Sequence, residues 1–271
     1  MQAFKNRLSQ YAVINDENWE LIDNISTKTV TYRAGEDIVR VGEIAETLFI
    51  VNKGWAVRHR TLEDGRRQIV NFMLPGDIFD LQALACLEAD HTVTSVTDVS
   101  ILVIDTREFV QLLRTSGDIS SSFWWAAVQE ESILREQIVR LGRRSAKERI
   151  GHLLLELQRR MNGAMGTNHK QLPLPLTRVD LADALGLTPV HVSRTMSAMR
   201  HSGLIEESRG VILIDDRERL ARICHFNTDY LHLRRLDFSK FSMANGAHHI
   251  SPHANGKANE SGSPSSRSTR T

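Results

Sequence analysis

Hydrophobic and polar positions change period twice along this chain, and the changes mark out its organisation. In the first twenty-odd residues Phe4, Leu8, Tyr11, Ile14, Trp19, Leu21 and Ile22 fall at mixed helical spacings, which predict short helices. From Thr29 the period shortens. Leu48-Phe49-Ile50-Val51, Trp55-Ala56-Val57 and Gln68 through Met73 are strand-forming runs. Turn signals separate them at Ala34-Gly35-Glu36, Gly42-Glu43, Asn52-Lys53-Gly54, Asp64-Gly65 and Pro75-Gly76-Asp77. Turns spaced about 7–12 residues apart predict antiparallel strands of a sandwich or barrel. Asp64-Gly65 favours a tight type I′ hairpin turn. A short helical piece comes next, around Leu81 to Leu87, and Thr92 to Ile104 reads as further strand with an internal turn at Asp98. The whole predicts a β-roll or jelly roll of about eight strands.

Helical spacing returns at Thr106, with Glu108 suiting a first turn. From about Asp118 a long helix begins, with Trp124 and Trp125 near its start. Its Ala127, Leu134, Ile138 and Leu141 approximate heptad positions; an ordinary amphipathic helix packed on the roll satisfies them too, but a dimerisation helix is expected, since a winged helix gains from a two-fold partner. Gly142 interrupts this pattern and marks a hinge. An amphipathic helix from Ser145 to Met161 leads into a loop, Asn162 to Pro175. Near the end, Asp216 to Leu236 reads as a closing helix carrying Leu220, Ile223 and Leu231. From Ser239 the composition falls to Ser, Asn, Gly, Arg and His, which predicts disorder because too little apolar area offsets chain entropy. His248, His249 and His253 fit that solvated tail better than a metal site.

The stretch from Thr177 to Gly203 is the most informative. Thr177 suits an N-cap, and Leu181, Ala182 and Leu185 make one apolar helical face. Gly186 supplies a stop. Thr188 caps a second helix whose first position, Pro189, needs no N–H partner. Val192, Met196 and Met199 then point one way, and Val190, Ser193, Arg194 and Ser197 the other. An αα-hairpin in some other helical domain satisfies this spacing too. The segment after the pair favours a winged helix: Leu204 through Glu207 and Val211 through Ile214 read as a hairpin around Ser208-Arg209-Gly210. In that setting the second helix enters the DNA major groove. The expected DNA-binding residues are Thr188, Val190, His191, Ser193, Arg194, Ser197 and Arg209. Arg194 is the base reader, since a guanidinium binds guanine O6 and N7 together. His191, Arg200 and Arg209 are phosphate contacts.

Total charge does not add to this, because the net charge is only +1. Local charge does: Arg140, Arg143, Arg144, Lys147 and Arg149 lie just ahead of the helix pair, although a solvated helix face is the plainer reading of most of them. No run of about 18 apolar residues predicts a membrane span, and the N-terminus has no signal-peptide core. Cys86 and Cys224 are too few for a disulfide framework or a four-cysteine cluster. Each reads as a small buried hydrophobe in a reducing cytoplasm. No cofactor is expected. The chain shows no metal-spaced His/Cys set, nucleophile elbow or phosphate-binding glycine loop, so it does not read as an enzyme.

A β-roll, a long helix and a winged helix, in that order, resemble the Crp/Fnr family of bacterial transcription regulators over roughly residues 20–235. The most specific match runs from Leu181-Ala182 through Gly186-Leu187-Thr188 to Val192-Ser193-Arg194. The resemblance implies an α+β fold with an N-terminal double-stranded β-roll like a cyclic-nucleotide-binding domain (residues 1–115). It implies next a dimerisation helix and hinge (116–144) and a winged helix-turn-helix (145–238), with the tail (239–271) beyond. It also implies a homodimer on two-fold symmetric double-stranded DNA, contact with RNA polymerase, and a small signal sensed in the roll.

Two departures narrow this. Family members often carry Glu-x-x-Ser-Arg or Glu-x-x-Gly-Arg on the recognition helix; here Ser193 and Arg194 match, and Val190 replaces the glutamate. Valine packs on a thymine methyl and accepts no hydrogen bond from cytosine, so a half-site differing from TTGA or TGTGA is expected. Cyclic-AMP members hold ribose and phosphate with Gly-Glu and Arg-Ser pairs. Here Asp80-Leu81 and Ala89-Asp90 stand in those places. A carboxylate without a paired arginine disfavours a cyclic phosphate, so the effector pocket (Asp80, Leu81, Ala89, Asp90) is expected to bind no cyclic nucleotide, which leaves another ligand or no ligand, with control through expression level or a partner protein. His59 and His91 are only loose candidates for a haem. The rival class is a sensor module that controls a protein partner through its roll without touching DNA.

Overall fold

In the computed structural model the described residues are 1–44 and 46–233. The expected disordered tail with its three histidines, and the last residues of the expected closing helix, lie outside them. Two helices, α1 (Gln2–Leu8) and α2 (Asp16–Asp23), precede eight strands: β1 (Lys28–Tyr32), β2 (Asp37–Val39), β3 (Thr47–Lys53), β4 (Ala56–Thr61), β5 (Arg67–Met73), β6 (Ile78–Phe79), β7 (Thr92–Ser95) and β8 (Val99–Asp105). A 3₁₀ turn, Leu81–Ala85, separates β6 from β7. The strands form two antiparallel sheets, ordered β1-β8-β3-β6 and β2-β7-β4-β5. β3 explains its own unbroken apolar run. Leu48 and Ile50 pack outward under α1, α2 and the following helices, and Phe49 and Val51 pack inward with Val93 and Ile101. A strand buried on both faces has no polar alternation to show.

The helical half comprises α3 (Thr106–Thr115), α4 (Gly117–Arg143), α5 (Ala146–Met165), β9 (Gln171–Pro173), α6 (Arg178–Leu185), α7 (Pro189–His201), β10 (Glu206–Ser208), β11 (Val211–Leu213) and α8 (Arg217–Cys224). The α6–α7 pair and the three-stranded sheet β10-β11-β9 make the winged helix. Its core includes Leu153, Leu181, Leu185, Val192, Met196, Met199, Ile212 and Leu220. Trp55, Val57, Ile69, Phe72 and Leu74 from the roll belong to the same cluster.

Several local expectations need correcting. The β4–β5 turn is not type I′: Gly65 has φ 83, Asp64 is not in the left-handed region, and Gly65 N–H donates to the Leu62 carbonyl. A longer loop with glycine at its left-handed position closes the hairpin instead. Gly142 does not break α4. One glycine costs about 1 kcal/mol in a helix interior, too little to end a long, packed one. The break falls at Arg144, in extended conformation, where Ser145 and Glu148 form a capping box that starts α5. The expected loop after α5 contains β9, added to the wing as a third strand. The closing helix is short: α8 ends at Cys224, His225 is left-handed, and Leu231 is buried in a separate 3₁₀ turn, Asp229–Leu231. Cys86 is exposed, so only Cys224 is the expected buried hydrophobe.

The basic cluster ahead of the helix pair is mostly neither a solvated face nor a DNA patch. Arg140 is 2% exposed and pairs with Glu156, and Arg144 lies 2.6 Å from Glu136. Arg149 donates to the carbonyls of Arg144 and Leu185. Only Arg143 and Lys147 of the five are exposed. Arg140 joins a buried ionic chain: Arg160 lies 3.7 Å from Glu156 and 2.8 Å from Asp77, and Asp77 also holds Arg7 of α1 at 2.8 Å. Asp77 sits on the β5–β6 turn. There Gly76 is required, because a Cβ would lie 2.5 Å from the Ala3 carbonyl oxygen.

Candidate nucleic-acid interface

Local chemistry fixes α6 and α7 before any packing. Thr177 Oγ1 accepts from the Asp180 N–H at 3.1 Å, and the Asp180 carboxylate accepts from the Thr177 N–H at 2.9 Å, a reciprocal capping box. Burial works to raise the Asp180 pKa, but hydrogen bonds from Thr177 and Arg67 outweigh it and hold the carboxyl below its ordinary range. Gly186 ends α6 at φ 61. Thr188 Oγ1 accepts from the His191 N–H at 3.2 Å, and Pro189 opens α7. Val192, Met196 and Met199 are fully buried against α5 and α6.

The opposite face of α7 is left uncovered by the described residues. Thr188, Val190, His191, Ser193 and Arg194 are exposed and Ser197 is half-buried, so the structure brings these expected residues together on one surface. A helix presenting small side chains around one arginine has the width and chemistry for a major groove. Arg194 makes no ion pair among the described residues. Its basic neighbours do: Arg178 places both oxygens of Glu207 at 2.5 and 2.7 Å, and Arg200 lies 2.5 Å from the same carboxylate. Arg200, expected at a phosphate, also ties α7 to the wing.

Arg209 and Gly210 form the β10–β11 turn, with φ 48 and 76. Two left-handed residues make a type I′ turn, which puts the exposed Arg209 at its tip. Sequence reasoning missed Glu207 and Arg178 as the wing clamp. It also missed Arg67 of β5, 2.6 Å from Asp180 and 2.8 Å from Asp183. Nothing in local sequence pairs residues so far apart.

The four expected pocket residues differ in burial and in the face of the sheet they occupy. Asp80 is 1% exposed, has φ 68, and neither carboxylate oxygen has a hydrogen-bond partner among the described residues. Burial raises its pKa, against the pull of His91 and Arg58. Arg58 is already paired with Glu130 of α4. Leu81 is half-buried on the α1 side of the sheet, and Ala89 is buried inside the roll. Asp90 is exposed and engages His91 Nδ1 at 2.7 Å, while His59 Nε2 lies 2.9 Å from Thr94 Oγ1. A cyclic phosphate here would meet a buried, unpaired carboxylate, so these residues do not fit a cyclic nucleotide.

A cyclic nucleotide-binding domain model matches residues 29–116, and a Crp-like helix-turn-helix domain model matches residues 148–223. The transcriptional activator protein FnrL of Cereibacter sphaeroides is 32% identical over 191 residues, covering 68% of this chain and 76% of FnrL. The nitrogen fixation regulation protein FixK of Bradyrhizobium diazoefficiens is 33% identical over 202 residues, covering 72% of this chain and 81% of FixK. The solved structure of FixK2 from Bradyrhizobium japonicum superposes with a TM-score of 0.66 at 28% identity, over 73% of this chain and 97% of that one. With its β-roll, long helix and winged helix-turn-helix, the chain belongs to the Crp/Fnr family of DNA-binding transcription regulators.

Proposed function

We propose that two copies of this chain pair along α4 and lay their α7 helices into successive major-groove segments of a two-fold symmetric operator, with Arg194 as the main reader. The observation that carries this is the exposed Arg194 among small side chains on α7, without an ion-pair partner among the described residues, while the neighbouring arginines are tied to Glu207. Val190, 59% exposed on the same face, sets a thymine-methyl preference in place of the family's usual cytosine contact. Arg209 at the wing tip takes a phosphate. The pairing face is α4's outer side. Trp124 and Ile138 are 73% and 71% exposed there, opposite the buried Ile133 and Arg140. Such a stripe is what a two-fold partner covers.

The organisation we read is a sensor at 1–115, a dimerisation helix at 116–144, a DNA-binding domain at 145–238 and a tail beyond. The signal is a ligand or partner other than cAMP, since Asp80 opposes a cyclic phosphate. Similarity to a protein named as a transcriptional activator supports a further contact with RNA polymerase. The relatives are regulators, which supports a non-enzymatic role. Among the described residues no helix is long and apolar enough to cross a membrane, in keeping with a cytoplasmic regulator.

A fluorescence-anisotropy titration of promoter DNA across a salt series tests the reading. Specific binding by two chains per operator, weakening steeply as salt rises, is expected. Binding that ignores sequence, or no binding, contradicts it and favours the roll as a protein-binding module.

A further inference from the structure

The two-fold reading leaves open what sets the distance between the two recognition helices. The covalent link does not set it firmly: α4 and α5 are joined through one extended residue, Arg144, before Ser145 caps the next helix. Buried pairs, Arg160 with Asp77 and Arg140 with Glu156, hold α5 to the roll and to α4, and a further tie from the roll reaches the α6–α7 pair itself. Arg67, on β5, reaches across to α6 with both edges of its guanidinium, Nη2 at 2.6 Å from Asp180 Oδ1 and Nε at 2.8 Å from Asp183 Oδ2. Gln68 beside it donates to the Ala184 carbonyl at 3.4 Å, and Gln137 of α4 donates to the same carbonyl at 2.6 Å. Beneath these contacts Trp55, Val57, Ile69 and Phe72 share the core that holds Leu181, Leu185, Val192 and Met196. The first helix of the pair is thus tied to the roll near its start by charge and near its end by its carbonyl, and α7 packs on that helix.

We propose that Arg67 is a positioning residue for DNA reading: by fixing α6 to the roll it fixes the separation and angle of the two α7 helices, and so makes the protein selective for one half-site spacing. This rests on the two-fold operator proposed above. The planar fork of arginine is what the arrangement uses. A lysine presents a single point charge and cannot hold Asp180 and Asp183 in the same two-edged geometry. Arg67 lies on the roll, away from the exposed face of α7, so its loss leaves base contacts unchanged. A contact that only stabilised the fold would lower affinity for every DNA alike; a positioning contact changes the preference among spacings.

The experiment uses the full chain and the operator it selects from random DNA. Wild type, Arg67→Ala and Arg67→Lys are titrated against a single half-site, against that operator, and against operators with the spacer longer or shorter by one or two base pairs. Stoichiometry on the wild type is read first: one chain per operator would refute the two-fold reading itself, before any variant is compared. With two chains bound, the wild type is expected to prefer its own spacing by about tenfold or more. Both variants should narrow that preference to about threefold or less, with half-site affinity changed by less than about twofold. Three results would overturn the proposal: unchanged spacing preference in either variant that folds, equal weakening on all DNAs including the half-site, or tighter binding of the selected operator by the variants. The last would make the contact an inhibitory one. Arg67→Lys keeps the charge, so it remains readable should Arg67→Ala fold poorly.

Discussion

Arg209 occupies left-handed backbone at φ 48, where asparagine or glycine sits at less cost. Its side chain is exposed, and the proposed phosphate contact is what would offset this cost. Arg209→Gly should raise thermal stability slightly, by up to about 1 kcal/mol, while weakening operator binding and lowering the salt slope by about one unit. Melting curves and a salt series check both; loss of stability with unchanged DNA affinity would deny the residue a phosphate. Val190 makes the complementary case for a base. Val190→Glu restores a carboxylate that accepts from cytosine N4, and should move the selected half-site toward a C·G pair at one position, by about 1–3 kcal/mol of discrimination. An unchanged motif in sites selected from random DNA would remove Val190 from the reading face.

At the level of single elements, α4 and α5 carry opposite lessons about charge. On α4's outer face, Ile138→Glu places like charges along the proposed seam and should weaken self-association about tenfold or more, seen by analytical ultracentrifugation. A dimer of undiminished strength would place the seam elsewhere. On α5, His152 is buried among Arg140, Glu136 and Tyr230, and burial, then Arg140 and Arg144, push its pKa down to about 2. It accepts from Arg140 at Nδ1 and stays neutral. In the unfolded chain this imidazole has its ordinary value of 6.5, so the unfolded state binds more protons than the native one at lower pH. Stability is therefore complete above that value and falls at more acid pH by about 1.4 kcal/mol per unit. Denaturant titrations between neutral pH and pH 5 should show this slope, and His152→Gln should flatten it. An equal slope in the variant would give the acid sensitivity to the carboxylates instead.

The same elements show what could be read without a structure. Capping residues and periodicity act over a few residues, so Thr177, Gly186, Thr188 and the buried Val192, Met196 and Met199 were legible, as were the strand runs of the roll. Arg140 was not. A basic residue reads as solvated unless its distant partner is known, and Glu156 lies on the next helix. Gly142 misled because its local cost is small beside the packing of α4 and the strong cap at Ser145. β9 was invisible because a three-residue strand has no period; it exists only because β11 offers an edge. Arg67 escaped notice for the reason Arg140 did, since its carboxylate partners are in the other half of the molecule.

Across the whole molecule, a buried ionic chain, the Arg67 contacts to α6 and a shared apolar core join the roll to the winged helix. Arg7, Asp77, Arg160, Glu156 and Arg140 link α1, the β5–β6 turn, α5 and α4, while Trp55 and Phe72 share the core of the α6–α7 pair. A signal in the roll acts on DNA only if it favours one arrangement of these contacts over another. The central claim, that α7 reads bases through Arg194, is tested most directly by measuring Arg194→Ala against both the selected operator and unrelated DNA. The account predicts specific affinity about 10–150-fold lower, with non-specific binding and melting temperature nearly unchanged. Operator affinity equal to that of the wild type would contradict it.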